Sequence, residues 1–211
     1  MMHKRLLVDI GNTYFHVFDG EYVEHLLYED AISKYATQEL LYISVKHELG
    51  ETIEVLEKWK NISSYLYISG QYDTMGIDRK ALCLSHEEGI FVDAGSAITV
   101  DVVEDGVYVG GFILPGLQAY LQSYKGISSA LDVELHEKIA LDRLPSTTKE
   151  QISYGIIASI KALIDKHGTG KKHYFTGGDG KFLSTFFDDA LYDETLVFQG
   201  MMKAIKDKKI C

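Results

Sequence analysis

The sequence predicts an α/β protein built from two related halves. The phrase 'LLVDIGNTYFHVFDG' (6–20) returns as 'IFVDAGSAITVDVVEDG' (90–106). In both places an apolar strand ends in Asp-x-Gly, and further strands with tight turns rich in Gly and Asp follow. Alternating helical and strand patterns come next in each half, which is typical of a duplicated α/β unit.

The spacing of the repeat supports the duplication. Asp9 corresponds to Asp93, an offset of 84 (93 − 9), and Asp19 corresponds to Asp105, an offset of 86 (105 − 19). An insertion of two residues therefore brings both pairs into register. We expect a division into halves at residues 1–88 and 89–211.

The first half is predicted to open with strands and to contain one amphipathic helix. In 'ELGETIEVLEKWK' (48–60), Ile53, Leu56 and Trp59 recur at three-residue steps, which favours a helix with one apolar face. The other predicted elements, in order, are the strands 'RLLVDI', 'YFHVFDG' and 'EYVEHLLY', a helical stretch, the strand 'ELLYISV', the strand 'SYLYIS' (64–69) after the amphipathic helix, and the loop 'GQYDTMGIDR' (70–79).

The second half repeats the opening strands and adds a long helix. 'TTKEQISYGIIASIKALIDKHG' is amphipathic, with a threonine N-cap at its start and a His-Gly stop at its end. The other predicted elements are the strands 'GIFVDAG', 'AITVDVVEDG' and 'VYVGGFI', a helix after 'LPG' that Pro115 can begin, the strand 'KHYFTGG', the helix 'GKFLSTFF', the strand 'ETLVF' (194–198) and a final helix.

Composition excludes several classes of function. The net charge of −10 and the pI near 5.2 argue against binding a nucleic-acid backbone, and the basic C-terminal 'KAIKDKKI' is better explained as a solvated helix. No apolar run is long enough to span a bilayer, and Asp9 and Gly11 interrupt the first apolar stretch too early for a signal peptide. Two cysteines, Cys83 and Cys211, indicate a reducing cytoplasm rather than a disulfide framework, and histidine spacing indicates no structural zinc site.

The two Asp-x-Gly turns are suited to phosphate. Glycine lets main-chain N–H groups approach an anion because no Cβ blocks the way, and Asn12, Thr13, Ser96 and Thr99 add short polar side chains. An aspartate at the strand end can anchor the Mg²⁺ that accompanies a nucleoside triphosphate. The alternative for either turn alone is an ordinary hairpin, for which Asp and Gly are also favoured.

Five motifs together resemble the type III pantothenate kinase family, a branch of the actin-like and sugar-kinase superfamily. They are 'DIGNT' (9–13), 'GIDR' (76–79), 'DAGSAITVD' (93–101), 'GGFILPG' (110–116) and 'TGG' (176–178), in this order along nearly the whole chain. The resemblance implies two ribonuclease-H-like halves around a nucleotide cleft. It implies ATP-dependent phosphorylation of pantothenate, the first step of coenzyme A biosynthesis, with Mg²⁺ and a monovalent cation such as K⁺ or NH4⁺. It further implies a homodimer, while the composition predicts no nucleic-acid or membrane partner.

The resemblance also assigns site residues. Asp78 is the expected proton acceptor, Asp93 the expected ligand of the monovalent cation, and Asp9 an expected Mg²⁺ contact. The residues expected at ATP and its phosphates are Asp9, Ile10, Gly11, Asn12, Thr13, Tyr14, Phe15, His16 and Ser96, the last of which replaces the family's usual threonine. The residues expected at pantothenate are Tyr72, Gly76, Ile77, Asp78, Arg79 and Thr148, with Thr147 as the alternative to Thr148.

The chemistry of 'GIDR' is consistent with that assignment. Phosphoryl transfer to an alcohol needs a group that accepts the hydroxyl proton, and Asp78 can do so, while Arg79 can bind a substrate carboxylate with two charge-assisted hydrogen bonds. The alternative is an exposed helix start with Asp78 near its N-terminus. 'GGFILPG' and 'TGGDG' can line a nucleotide site or serve as plain packing and turn segments.

The chain departs from the family in two respects. It is short for the family, and 'YDTMGIDR' lacks the Asn-Pro that often precedes 'GIDR', which affects the expected shape of the pantothenate pocket. Two other functions stay open at this point: another small-molecule kinase of the same superfamily, and a non-catalytic regulator that senses nucleotides.

Overall fold

The protein is described by a computed structural model that covers residues 5–46 and 49–208. These residues form two compact units. Unit 1 comprises the residues up to Glu87, the segment Glu104–Tyr108 and the residues from Glu194 onward, and unit 2 comprises Glu88–Val103 and Val109–Asp193. The units differ from the expected halves because segments 104–108 and 194–208 belong to the first one. Cys211 lies outside the described residues.

The two units contain sheets of the same topology. In unit 1 the strands are β1 (Leu6–Ile10), β2 (Phe15–Phe18), β3 (Val23–Leu26), β4 (Leu40–Ser44) and β5 (Trp59–Asn61), in the order β3-β2-β1-β4-β5. The second sheet consists of β6 (Gly89–Ala94), β7 (Ala97–Glu104), β8 (Val107–Pro115), β9 (His173–Thr176) and β10 (Ala190–Tyr192), in the order β8-β7-β6-β9-β10. In both sheets the first strand pairs antiparallel with the second and parallel with the fourth. The predicted duplication is confirmed.

The described helices follow the same alternation. They are α1 (Tyr28–Tyr35), α2 (Gly50–Glu54), α3 (Ile77–Leu84), α4 (Leu117–Ile127), α5 (Thr148–Gly168), α6 (Gly180–Ser184) and α7 (Leu196–Asp207), with short 3-10 helices at Ser63–Tyr65 and Ser129–Leu131. None of these helices is both long and apolar enough to cross a membrane.

The long helix α5 forms as its sequence predicts. Thr147 is its N-cap, and the Thr147 hydroxyl accepts from the Glu150 N–H (3.4 Å) and donates to the Glu150 carboxylate (2.9 Å). The helix ends at Gly168, the predicted stop. Its buried isoleucines pack with β6 in the core of unit 2, where each contributes roughly 1.5–3 kcal/mol by leaving water. This core fixes the end of β6 at which Asp93 lies.

The predicted helix over 48–60 is wrong at its C-terminal end. Helix α2 ends at Glu54, and Trp59 begins β5 instead. Trp59 is 7% exposed, packs its ring edge against Phe15 (5.9 Å between centroids) and donates its indole N–H to the Tyr35 carbonyl (3.1 Å). Sheet packing therefore outweighs the three-residue periodicity.

Three other predicted features differ from the structure. 'SYLYIS' contains a 3-10 helix rather than a strand, and 'ETLVF' becomes the start of α7, where Phe198 stacks on Phe18 (5.2 Å between ring centroids). The apolar residues of 'ETLVF' are buried in either case, so local apolarity could not distinguish the two structures. Pro115 ends β8, and Gly116 is the N-cap of α4.

Candidate active site

The turn after β1 contains the residues expected to bind phosphate. Asp9 lies near the end of β1 and is 9% exposed. Gly11 donates its N–H to the Tyr14 carbonyl (3.0 Å), and its own carbonyl accepts from the Tyr28 hydroxyl (2.9 Å). The turn is therefore held by these two hydrogen bonds, and it carries the exposed residues Asn12 and Thr13 at its tip.

The other residues of the predicted phosphate loop differ from one another in burial and contacts. Ile10 and Phe15 have fully buried side chains, so only their main-chain groups could face a ligand. Tyr14 is partly exposed. His16 lies opposite Asp9 in the β1–β2 register, and its Nδ1 is 2.6 Å from Nδ1 of His25. Burial, and secondarily His25, lower the pKa of His16 to about 4, so this imidazole carries no positive charge at neutral pH.

The 'GIDR' motif forms the start of α3. Gly76 is the N-cap, and a Cβ at this position would lie 2.5 Å from Oδ1 of Asp78, so the close carboxylate favours glycine. The Arg79 N–H donates to the same Oδ1 atom (2.8 Å). Burial raises the pKa of Asp78, against the opposing effects of the Arg79 N–H and the Arg79 charge. The motif is thus a helix start, but one with a partly buried carboxylate that has a raised affinity for a proton.

Arg79 is buried rather than exposed. It is 6% exposed, and its Nη1 donates to the hydroxyl of Tyr72 (2.7 Å), over whose ring the guanidinium also lies (5.9 Å to the centroid). Its Nη2 donates to the hydroxyl of Tyr108 (3.5 Å). The structure therefore places Tyr72, Asp78 and Tyr108 in contact with Arg79.

Sequence reasoning did not identify Tyr108. The residue lies in β8, but it belongs to the short segment Glu104–Tyr108 that is part of unit 1. The repeat could have drawn attention to it, since Tyr22 and Tyr108 each stand three residues after the aspartate of a duplicated Asp-Gly turn. That signal does not say which copy faces an arginine.

The turn after β6 is enclosed by two other glycine motifs. Gly116 donates its N–H to the Ser96 carbonyl (3.1 Å), and Asp179 donates its backbone N–H to the Ala94 carbonyl (2.9 Å). A Cβ on Gly177, where φ is +84°, would collide with Asp93 Oδ1 and with the Ala94 carbonyl. Three predicted motifs, 'DAGS', 'LPG' and 'TGG', therefore meet in unit 2 at the turn after β6, and Gly177 of 'TGG' lies against the carboxylate of Asp93.

The surroundings of Asp93 fit a hard cation. Thr99 lies opposite Asp93 in the β6–β7 register, and its Oγ1 is buried with no hydrogen-bond partner among the described residues. Carboxylate and hydroxyl oxygens are donors suited to such an ion. Within 5–46 and 49–208, no three His, Cys, Asp or Glu side chains gather as a metal cluster. The donor set is therefore one of oxygen atoms around a single carboxylate.

The two threonines before α5 have different environments. The hydroxyl of Thr147 is used in the N-cap, where it bonds to Glu150. Thr148 is the first residue of the helix and is exposed. This division favours Thr148 as the residue available to a ligand.

A groove of about 880 Å³ lies at the opposite end of unit 2. Its lining includes Gly168, at the end of α5, and His173, at the start of β9. The Asp93 turn lies at the other end of β9, because Thr176 pairs with Asp93. The groove is therefore separate from the predicted site.

Comparisons with more distant structures indicate the fold. A protein from Sinorhizobium meliloti, assigned provisionally as a 2-dehydro-3-deoxygalactonokinase, superposes with a TM-score of 0.57 at 10% identity and covers 98% of this chain and 100% of that one. The activator of 2-hydroxyisocaproyl-CoA dehydratase from Clostridium difficile, with bound ADPNP, gives 0.55 at 9% identity and covers 98% and 97%. At these identities the likeness concerns the fold, which is the expected duplicated, actin-like α/β fold.

Comparisons with closer relatives indicate the family. A family model for type III pantothenate kinase matches residues 61–168. The type III pantothenate kinase of Campylobacter jejuni (strain RM1221) is 40% identical over 202 residues, which cover 96% of this chain and 97% of that protein. The type III pantothenate kinase of Wolinella succinogenes is 40% identical over 205 residues and covers 97% and 98%.

A solved structure from Campylobacter jejuni is also close. It superposes with a TM-score of 0.88 at 38% identity and covers 98% of this chain and all of that one. That protein is described as a conserved member, provisionally assigned, of the Baf family of transcriptional activators. The family model matches residues 61–168, and the two relatives match nearly the full length. This chain therefore belongs to the type III pantothenate kinase family.

Proposed function

We propose that this chain transfers the γ-phosphate of ATP to the terminal hydroxyl of pantothenate, the first step of coenzyme A biosynthesis. Family membership supports the reaction, and the start of α3 is the structural observation that carries it. There a partly buried carboxylate with a raised pKa, Asp78, stands next to a buried guanidinium, Arg79. A kinase whose substrate has both a hydroxyl and a carboxylate needs one group that accepts the hydroxyl proton and another that binds the carboxylate.

Asp78 acts as the general base. The attacking hydroxyl must lose its proton as the new P–O bond forms, and a carboxylate with a raised pKa holds that proton more firmly than an ordinary aspartate. Gly76 and the Arg79 N–H fix the position of Oδ1. The carboxylate is therefore oriented before the substrate arrives.

Arg79 binds the pantothenate carboxylate. A buried guanidinium favours an anionic partner, and the planar arrangement of its N–H groups matches a carboxylate. Tyr72 holds Nη1 from one side. Thr148 is the further substrate contact that we propose, since the hydroxyl of Thr147 is used for capping.

The two Asp-x-Gly turns receive the phosphates and the cations. We assign the loop Asp9–His16 and Ser96 to ATP, Asp9 to Mg²⁺, and Asp93 with Thr99 to K⁺ or NH4⁺. When bound, these cations would offset the negative charge of the transferred phosphoryl group. Because His16 is neutral, positive charge at the first turn would come from the metal ion rather than from this side chain.

The experiment is a coupled assay of ADP release with purified full-length protein. We expect turnover with pantothenate and none with hexoses or acetate, and a requirement for Mg²⁺ and for K⁺ or NH4⁺. Activity with a sugar but not with pantothenate would favour another kinase of the superfamily. We further propose that the protein is cytoplasmic and forms a homodimer. Sedimentation analysis of the purified protein would test the oligomeric state.

A nucleotide-sensing regulator is the second candidate. It is favoured by the description of the similar Campylobacter jejuni structure as a transcriptional activator. A sensor has no use for a proton acceptor, and the raised pKa of Asp78 argues for catalysis. Binding of ATP and pantothenate without any phosphorylated product would support the regulator instead.

A further inference from the structure

The second copy of the repeated Asp-Gly turn is anchored at the substrate side of unit 1. Asp105 and Gly106 both have positive φ (48° and 75°), as a two-residue hairpin turn requires. Gly106 donates its N–H to the Glu87 carbonyl (2.7 Å), and Tyr108 donates its backbone N–H to the Ser69 carbonyl (2.8 Å). The tip of the β7–β8 hairpin is thus fixed at two points within unit 1.

Gly70 permits a close approach between its own backbone and that of Tyr108. A Cβ on Gly70, where φ is +81°, would collide with the carbonyl of Tyr108. The backbone before Tyr72 and the backbone of Tyr108 therefore approach as closely as glycine permits. This approach places the rings of Tyr72 and Tyr108 6.0 Å apart.

The two tyrosine hydroxyls both accept hydrogen bonds from Arg79. A guanidinium has only donors, so each hydroxyl uses a lone pair towards Arg79 and directs its own proton elsewhere. Arg79, Tyr72 and Tyr108 together form a set of donors that suits a ligand made only of acceptors. A carboxylate is such a ligand.

The first copy of the turn shows that this arrangement is not a general property of the repeat. Asp19 accepts from the N–H groups of Glu21 and Tyr22 (2.8 and 2.9 Å), which closes a local turn. Tyr22, which stands where Tyr108 stands in the second copy, is 75% exposed, whereas Tyr108 is 8% exposed. Only the tyrosine of the second copy is buried against the arginine.

We propose that Tyr108 is a substrate-binding residue that completes the carboxylate site with Arg79 and Tyr72. The proposal rests on the proposed function, because it takes the pantothenate carboxylate as the ligand. It makes the β7–β8 hairpin a determinant of specificity for carboxylate-bearing substrates. The 'GIDR' segment alone then supplies only part of the recognition.

The test compares Tyr108→Phe with the matched control Tyr22→Phe. Each variant loses one hydroxyl and keeps its ring. The kcat and KM are measured for pantothenate and for the analogue in which a primary alcohol replaces the carboxylate, with pantothenate binding measured in parallel by calorimetry. Thermal unfolding of each variant reports whether the fold is intact.

We expect Tyr108→Phe to raise the KM and Kd for pantothenate roughly tenfold, as loss of a hydrogen bond to a charged group implies. The kcat, the KM for ATP and the KM for the alcohol analogue should stay at the wild-type values, and Tyr22→Phe should match the wild type throughout. If the role of Tyr108 were purely structural, Tyr108→Phe would weaken the binding of pantothenate and of the analogue equally.

Two results would overturn the proposal while leaving the proposed function intact. They are equal losses for both substrates in Tyr108→Phe, and a wild-type KM and Kd for pantothenate in that variant, each with a wild type that phosphorylates pantothenate. A wild type that forms no ADP with pantothenate would instead remove the proposed function, and this proposal with it.

Discussion

Replacing Gly177 by alanine should destabilise the protein and disturb the carboxylate of Asp93. The glycine has φ of +84°, and an added Cβ would collide with Asp93 Oδ1 and lie 2.5 Å from the Ala94 carbonyl oxygen. Both neighbours belong to β6, whose position the core of unit 2 fixes. The backbone therefore cannot yield without moving the predicted cation site.

The magnitude follows from two costs. A left-handed conformation costs a residue with a Cβ about 1–2 kcal/mol. Overpacking against a fixed neighbour adds about 1–3 kcal/mol. The sum of about 2–5 kcal/mol corresponds to a fall in Tm of roughly 4–20 °C for a chain of this length.

Gly178→Ala is the matched control. It lies in the same 'TGG' motif, but a Cβ there meets no described atom within 4 Å. Thermal unfolding of both variants, with K⁺ titrations of ADP release, is the assay. Gly177→Ala should melt well below the wild type and need more K⁺, while Gly178→Ala should melt with the wild type. Equal melting temperatures for the two variants would refute the argument from close approach.

Four further variants test the remaining assignments. Asp78→Asn should lower kcat by roughly 10²–10⁴-fold, as expected on loss of a general base. In the wild type, the fall of kcat at acid pH should have a midpoint above the ordinary aspartate pKa of 3.8, because burial raises the pKa of Asp78. The folded protein then binds the Asp78 proton more tightly than the unfolded chain, so the free energy of unfolding falls as pH rises from 3.8 through the raised pKa of the folded state. Asp78→Asn should lack this fall. A Tm of Asp78→Asn below that of the wild type near neutral pH would contradict the raised pKa. Thr147→Val should cost about 1 kcal/mol of stability through loss of the cap, whereas Thr148→Val should mainly raise the KM for pantothenate; the opposite pattern would exchange their roles. Asp93→Asn should abolish the response of turnover to K⁺, and a retained response would place the ion elsewhere.

The sequence determined the duplication, because strand ends and tight turns depend on local residue types. The Asp-Gly pair at positions 105 and 106 and the offset between Asp9 and Asp93 are visible without coordinates. The same holds for the cap of α5, where Thr147 and Glu150 interact within one turn. Such features depend on neighbours a few residues away.

The sequence failed where distant neighbours decide the structure. Trp59 fits an apolar helix face by spacing, yet it packs in a sheet against Phe15 and bonds to Tyr35. Phe198 fits a strand by composition, yet α7 forms because the helix packs against α3, where Gly200 lies directly against the Ala81 carbonyl. In both segments the residues are apolar and buried, and burial alone does not select helix or strand.

The sequence by itself determined the family, the duplicated fold and the identity of the chemical groups, since these depend on which residues stand in which motif. The tertiary structure alone decided the environment of those groups. It buries Arg79 between two tyrosines, of which Tyr108 comes from a hairpin 29 residues further along the chain. It also brings Gly177 against the carboxylate of Asp93 and Gly116 against the turn that follows, although both glycines are distant in sequence. Burial and hydrogen bonding set the proton affinity and orientation of a charged group, and both depend on neighbours that only folding brings together.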